Sequence, residues 1–314
     1  MKTLLKFGSA LIVALFSVTG VAAEGQPYMV KEFTLDKPGN LKVRINGGGI
    51  SVSSHDGNKV RVEMYVRKGI KWITARDEAA KELMEDYEIE IVQSDNTVSA
   101  HVERKSEISN WFSWFSGDNI SISFTVYVPE KISCTLNTSG GSISLSGVTG
   151  NQEVKTSGGS LSLDNIQGSM EAGTSGGGIS IERYAGNLDA HTSGGPISLK
   201  DSKGELNVST SGGSIKLDHV DGSIDASTSG GGIHATISSL TKYLKLKTSG
   251  GSITAVVPDG LGLDLNLKGN RVNAKLVNFN GEAEKDRVIG SMNGGGIPVV
   301  MSTSGGSVNL EYQQ

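Results

Sequence analysis

Thr138-Ser-Gly-Gly-Ser-Ile-Ser-Leu145 decides the fold, because its first four residues recur along the chain at a nearly fixed interval. The first five intervals are 18 residues and the next is 20. Such self-similarity is typical of stacked repeats in which each unit contacts only its neighbours. The motif begins at Thr138, Thr156, Thr174, Thr192, Thr210, Thr228, Thr248 and Thr303.

Apolar residues occupy fixed columns within each repeat. They stand four and two residues before the Thr, and five and seven after it, as in Cys134, Leu136, Ile143 and Leu145. This alternation predicts two short strands per coil, with the Thr in the inward phase. A Gly six residues before the Thr indicates a corner that needs positive φ or close backbone approach. The predicted fold is therefore all-β: a single-stranded parallel β-helix, or β-solenoid, with 18-residue coils about 4.8 Å apart.

The rest of the chain supplies a leader and two caps. Residues 1–23 have two lysines, a short apolar stretch and Val21-Ala22-Ala23, which predicts a signal peptide. Residues 24–130 should form a divergent first coil over 41–62, where Asn46-Gly-Gly-Gly-Ile50 takes the motif's role, and a cap with one helix from about Ala75 to Glu88. Regular coils should span 131–255, and irregular C-terminal coils 256–314.

Composition limits the classes of function. Without the two lysines of the leader, the net charge is about −6, which disfavours a nucleic-acid partner. No later apolar run has the length needed to span a bilayer. Cys134 is the single cysteine, so no internal disulfide can form, and it should pack as a small hydrophobe.

Two surface features are candidate contact sites for a ligand or partner. One is an outward ladder three residues before the Thr, containing Glu153, Glu171, Asp189 and Asp225. We expect a solvated face there instead of a calcium site, because exposed carboxylates one strand apart repel only weakly. The other is a cluster of four aromatic rings: Trp111, Phe112, Trp114 and Phe115. It could form an exposed tip that binds a ligand or partner. We expect it instead to be buried in the core of the cap, because large aromatic side chains are usually buried.

Other side chains favour structural roles. We expect the inward Thr column to bond between coils and not to order water on an exposed face. The five histidines share no column, so no metal site is predicted. No catalytic residue and no cofactor are predicted either.

The coils resemble bacterial "putative adhesin" families related to the auto-transporter adhesin head domain called GIN. The resemblance rests on the Thr-Ser-Gly-Gly-Ser-Ile coils and on the ending Gly290-Ser-Met-Asn-Gly-Gly-Gly-Ile-Pro298 with Thr303-Ser-Gly-Gly-Ser-Val-Asn-Leu310. It implies a β-solenoid at the cell envelope with a role in adhesion, and it supplies no catalytic residues.

We therefore expect a non-enzymatic exported protein, periplasmic or at the cell surface, that presents a rigid repetitive surface to an envelope protein or glycan. Two alternatives stay open: a sensory or scaffold module in envelope stress signalling, and a carbohydrate-active β-helix enzyme. The enzyme is disfavoured because the coils are nearly free of the long loops that form a cleft in such enzymes.

Overall fold

A computed structural model describes residues 25–77, 83–105 and 120–313. Within these ranges the protein is all-β, as predicted, and its 24 strands form one hydrogen-bonded array. The N-terminal strands are β1 (Met29–Thr34), β2 (Gly39–Ile45), β3 (Ile50–His55), β4 (Lys59–Lys68), β5 (Lys71–Ile73), β6 (Tyr87–Ser94), β7 (Thr97–Arg104) and β8 (Ile120–Pro129).

The regular repeats and the C-terminal part provide the other sixteen strands. The repeats contain β9 (Ile132–Thr138), β10 (Ile143–Ser146), β11 (Thr149–Thr156), β12 (Leu161–Thr174), β13 (Ile179–Thr192), β14 (Ile197–Lys200), β15 (Lys203–Thr210), β16 (Ile215–Thr228), β17 (Ile233–Thr248) and β18 (Ile253–Val257). The C-terminal strands are β19 (Leu263–Lys268), β20 (Arg271–Ala274), β21 (Phe279–Ala283), β22 (Arg287–Met292), β23 (Ile297–Thr303) and β24 (Ser307–Tyr312).

Successive repeats stack in parallel and in register, so the fold is solenoid-like. Each position pairs with the same position of the next coil, as Leu161 does with Ile179 and Thr174 with Thr192. The inward columns are buried; Leu163 and Ile181 are each 1% exposed. The register shifts between β16 and β17, where the coil has two extra residues.

Two glycine columns allow the coils to approach one another. A Cβ on Gly159 would lie 2.1 Å from the carbonyl oxygen of Gly141 one coil below. Gly186 combines both constraints expected of a corner glycine, since its φ is +143° and its Cβ would lie 1.8 Å from the carbonyl oxygen of Gly168. Any side chain at either position would force neighbouring coils apart.

The Thr column is inward and bonds between coils, although the acceptor is not another hydroxyl. The hydroxyl of Thr174 donates to the carbonyl of Gly159 at 2.8 Å, and that of Thr192 donates to Gly177 at the same distance. All eight motif threonines are buried. Each hydroxyl thus ties the end of one coil to the glycine corner of the coil below.

The coil of β2 and β3 and the coil of β23 and β24 each lie one coil from an end of the stack. At the N-terminal end, the coil of β2 and β3 lies between that of β7 and β8 and that of β9 and β10. At the C-terminal end, β23 and β24 lie between β17–β18 and the outer coil of β19–β20. The order of coils in space therefore differs from their order in the sequence at both ends.

Antiparallel strands complete the two ends. β4 pairs with β8, β1 and β5, while β6 pairs with β7. At the other end β22 pairs with β19 and β21. The motif role predicted for Asn46–Ile50 is confirmed, because Ile45 pairs with Thr138 and Ile50 with Ile143.

The predicted helix over 75–88 needs correction where it can be compared. Residues 78–82 lie outside the described residues, and Leu83 and Met84 are helical. Ala75 lies in a turn, and Tyr87 and Glu88 already belong to β6. Tyr87 pairs with Arg104, so strand pairing takes over from the helical pattern there.

Candidate interaction surfaces

The acidic ladder stands on adjacent strands of one outward face. Glu153 pairs with Glu171, which pairs with Asp189, and Asp225 follows one coil beyond Asn207. Each of these side chains is partly or fully exposed. The sequence thus predicted the alignment, while contact with a ligand stays a prediction.

A lysine in the neighbouring outward column contacts two carboxylates of the ladder. The ammonium nitrogen of Lys155 lies 2.8 Å from a carboxylate oxygen of Glu153 and 2.8 Å from one of Glu171. The hydrogen bond to Glu153 is the largest cause that raises the pKa of Lys155, and the hydrogen bond to Glu171 is the second. Further along, Lys245 lies 3.7 Å from Asp225.

A second ladder, eight residues after the Thr, is balanced in the same way. Arg183 contacts both Asp164 and Glu182, and Lys200 lies 3.2 Å from Glu182. Among the described residues, no group of three or more His, Cys, Asp or Glu side chains is placed to hold a metal ion. In both ladders, lysine or arginine side chains of the chain itself contact carboxylates of adjacent coils.

The aromatic cluster cannot be placed. Trp111, Phe112, Trp114 and Phe115 lie outside the described residues. Neither the tip nor the cap-core interpretation is therefore tested.

The remaining polar candidates have local structural partners. His55 closes the turn between β3 and β4, because its ring nitrogens lie 2.8 Å and 2.7 Å from the carbonyl oxygens of Asp56 and Lys59. Beside it, a shallow polar depression of about 580 Å³ is lined by Ser54, His55, Asp56, Glu130, Gly147, Thr149, Asn165 and Gln167.

Cys134 is 1% exposed, and burial raises the pKa of its thiol to about 12.

One surface feature was missed from the sequence. The hairpin between β4 and β5 carries Ile70 at its tip with 99% of the residue exposed, next to Lys68 and Lys71. The signal was present as Arg67-Lys-Gly-Ile-Lys71, where a basic run surrounds a glycine turn and an isolated isoleucine. This run is positively charged, whereas the net charge of the chain is negative.

These features define a class: a β-solenoid-like stack of glycine-cornered coils with a closed apolar interior. The chain belongs to the Toastrack DUF4097 family, whose model matches residues 48–311. The matched range takes in the coils and most of both ends, so the family relationship expected from the repeats is confirmed. No curated protein matches the chain.

Three solved structures are similar to the chain at low sequence identity and low TM-score. One, described as a putative adhesin from Parabacteroides distasonis, is 11% identical, with 90% of this chain and 96% of that chain covered and a TM-score of 0.32. A putative adhesin from Bacteroides fragilis is 10% identical, with coverages of 91% and 96% and a TM-score of 0.30. A putative cell adhesion protein from Clostridium sporogenes is 14% identical, with coverages of 92% and 100% and a TM-score of 0.23.

Proposed function

We propose that this protein is a non-enzymatic, exported envelope protein whose parallel β-helical coils present a rigid, repetitive surface for adhesion or for binding an envelope partner. The observation that carries the proposal is the register of the stack. Outward residues at the same repeat position lie on adjacent strands, about 4.8 Å apart, over successive coils. A repetitive ligand such as a glycan chain can meet such a surface at several equivalent points.

The interior of the coils leaves no room for a ligand. Leu145, Leu163, Leu199 and Leu217 fill one inward column and are each at most 1% exposed. A ligand must therefore bind on the outside of the coils or at the ends.

Among the described residues, no helix is long and apolar enough to cross a membrane.

The test is a glycan array probed with the purified chain, followed by turnover assays on every glycan retained. Retention without cleavage is expected for the proposed function. Cleavage of a retained glycan would contradict the non-enzymatic part of the proposal.

A matched pair of variants locates the binding face. Asp189→Lys reverses a charge in the acidic ladder, whereas Lys216→Asp reverses one on the other outward face. If the ladder is the contact surface, only the first variant changes retention or the set of envelope proteins captured in a pulldown. Equal binding by both variants and the unmodified chain would exclude the ladder.

A further inference from the structure

We propose that the outer edge of β21 is a self-association site, at which two copies of this chain pair strand to strand. The two β21 strands run antiparallel about a two-fold axis at Gly281. The occupant of the edge is therefore a second copy of β21, and the β22–β21 sheet continues from one molecule into the other.

β21 is an edge strand of the stack. Among the described strands it pairs only with β22, from Phe279 opposite Met292 to Ala283 opposite Val288. The strands that flank residues 78–82 and 106–119 are β5 to β8, which lie at the opposite end of the stack. Phe279 is partly buried, and the other four residues of β21 are exposed. One side of this strand is thus accessible to a further strand.

Hydrogen bonds at the two ends of β21 show which of its backbone groups point to the open side. The N–H of Asn293 donates to the carbonyl of Asn278 at 3.2 Å, and the N–H of Glu284 donates to the carbonyl of Arg287 at 2.7 Å. In an antiparallel pair, residues bonded to the neighbour alternate with residues whose N–H and C=O groups point away from it. The residues of β21 that point away are Phe279, Gly281 and Ala283.

The close approach of Gly281 to Gly290 agrees with this alternation. A Cβ on Gly281 would lie 2.5 Å from the Cα of Gly290. Opposite residues approach most closely where they are not bonded to each other, so the backbone groups of Gly281 are directed to the open side. A row of outward N–H and C=O groups is a template for a further strand.

The charge pattern of β21 selects one register of self-pairing. With the axis at Gly281, all five residues of the strand are paired, and each Glu282 lies opposite Asn280 of the second copy. An axis at Glu282 would place the two copies of that carboxylate opposite each other, which disfavours pairing. An axis at Asn280 would leave Ala283 opposite Val277, outside the strand.

The inner face of β21 gains an apolar contact in the same register. Phe279 packs against the hydrophobic core but is only partly buried, and its ring lies over Gly290. The axis at Gly281 places Phe279 opposite Ala283 of the second copy, and Ala283 is exposed in the single chain. Pairing therefore removes apolar surface from water on this face.

The segment after β21 does not oppose association. Its four residues, Glu284-Lys-Asp-Arg287, carry two charges of each sign, so Glu282 is the charge that the pairing has to accommodate. A five-residue strand on each copy offers less than the roughly 800 Å² per partner of a standard interface. The expected dimer is therefore weak and reversible.

The experiment is analytical ultracentrifugation of the purified chain from about 5 µM to about 500 µM. A monomer–dimer equilibrium is expected. Ala283→Pro removes an outward N–H from the edge without removing a bond to β22, and it should raise the dissociation constant at least about tenfold. A chain that stays monomeric over this range would overturn the proposal and leave the edge to solvent or to a strand of another protein.

Charge variants locate the contact. Asn280→Glu places like charges opposite each other at both symmetric positions and should raise the dissociation constant about fivefold, whereas Asn280→Lys should lower it about fivefold. Asn187→Glu and Asn187→Lys make the same changes in net charge at an exposed residue of the regular coils and should leave it unchanged. A dimer that responds to none of the β21 variants uses another surface, which would also overturn the proposal.

Cysteine cross-linking tests the register. Under oxidation, a mixture of Asn280→Cys and Glu282→Cys should cross-link faster than either variant alone, because these positions face each other only between copies. Cys134 is 1% exposed and should not contribute while the chain is folded, which circular dichroism checks for each variant. Equal rates in the mixture and in the single variants would contradict the axis at Gly281. Glycan retention is measured separately, so a monomeric chain leaves the proposed function standing.

Discussion

At the scale of single residues, two adjacent glycines of the motif differ in what they tolerate. A Cβ on Gly159 would lie 2.1 Å from the carbonyl oxygen of Gly141, whereas a Cβ on Gly158 would lie 3.5 Å from the nearest carbonyl oxygen, that of Gly140. We predict that Gly159→Ala lowers the free energy of unfolding by about 3 kcal/mol. Gly158→Ala should change it by less than about 1 kcal/mol. Chemical denaturation of the two variants measures the difference.

Equal losses in the two alanine variants would contradict this assignment. They would mean that the close approach of Gly159 to the coil below does not set the cost of the added methyl group. The comparison therefore tests coil spacing with a single methyl group.

The inter-coil hydroxyl bond gives a second prediction. Thr174→Val keeps the shape of the side chain but removes the donor to the carbonyl of Gly159, and it removes the acceptor of a longer 3.4 Å bond from Gly177 N–H. The expected loss is about 1–3 kcal/mol in the free energy of unfolding, since buried polar groups lose their partner. Thr174→Ser keeps the hydroxyl and should recover most of this loss. A valine variant as stable as the unmodified chain would show that the hydroxyl bond does not contribute to stability.

Cys134 provides a probe of burial that depends on pH. Its thiol is 1% exposed, and its pKa is raised from 9.0 to about 12 by burial. The folded protein holds this proton while the unfolded thiol ionises above pH 9, so the contribution of Cys134 to stability should fall as pH rises from about 9 to about 12. Cys134→Ala should flatten that part of the stability profile. Native thiol labelling at pH 8 should be negligible and should appear only on unfolding.

One repeat position with an unusual backbone conformation was not singled out from the sequence. Asn165, Arg183, Asp201 and His219 stand nine residues after successive motif threonines, and all have φ between +49° and +54°. Asn, Asp and His adopt this left-handed conformation more often than most residues, whereas Arg does not. The shared property of the column is a backbone angle, and Arg183 interrupts the run of residue types that would indicate it.

At the scale of the strands, the acidic ladder should be indifferent to calcium. Lys155 already contacts Glu153 and Glu171, and Lys245 approaches Asp225. We predict that 5 mM calcium changes the melting temperature by less than about 1 °C, because solvated and paired carboxylates gain little from a further cation. Lys155→Met removes the internal cation and is the informative comparison. A large calcium-dependent increase in the unmodified chain would restore the metal-binding interpretation.

The strands of the regular coils were predictable because two independent signals agree there. Alternating apolar columns indicate which residues face inward, and the fixed spacing of the glycine motif sets the register between coils. Ile143, Leu161 and Ile179 consequently align as expected. In the N-terminal region only the alternation remains, and a helical pattern was extended into Tyr87 and Glu88, where pairing with β7 decides the structure.

At the scale of the whole molecule, the insertion of the β2–β3 coil and of the β23–β24 coil could not be predicted from the repeats. Ile45 pairs with Thr138 across more than ninety residues, and Thr248 pairs with Thr303 across an excursion of irregular strands. The sequence period identifies neighbours only where the chain advances by one coil at a time. At the ends, packing against the open edge of the stack decides which coil lies outermost.

The same one-coil advance leads to a final prediction about the molecule as a whole. Deleting residues 175–192 removes one complete repeat and joins Thr174 to Ser193, so that Leu161 can pair with Ile197 and Met170 with Leu206. In the intact chain, Ile179 lies between Leu161 and Ile197, and Leu188 lies between Met170 and Leu206. Each new pair therefore joins two residues of the same column. The shortened chain should keep its β-sheet spectrum and unfold cooperatively, since each repeat contacts only its neighbours.

Deleting residues 175–183 is the matched control. It removes nine residues, an odd number and half of the 18-residue coil, so the following strand would turn its apolar residues outward and lose a corner. This variant should fail to fold or melt at least about 10 °C below the whole-coil deletion. If both deletions are equally harmful, stability depends on contacts beyond adjacent coils, and the account of the molecule as a sum of stacked neighbours is wrong.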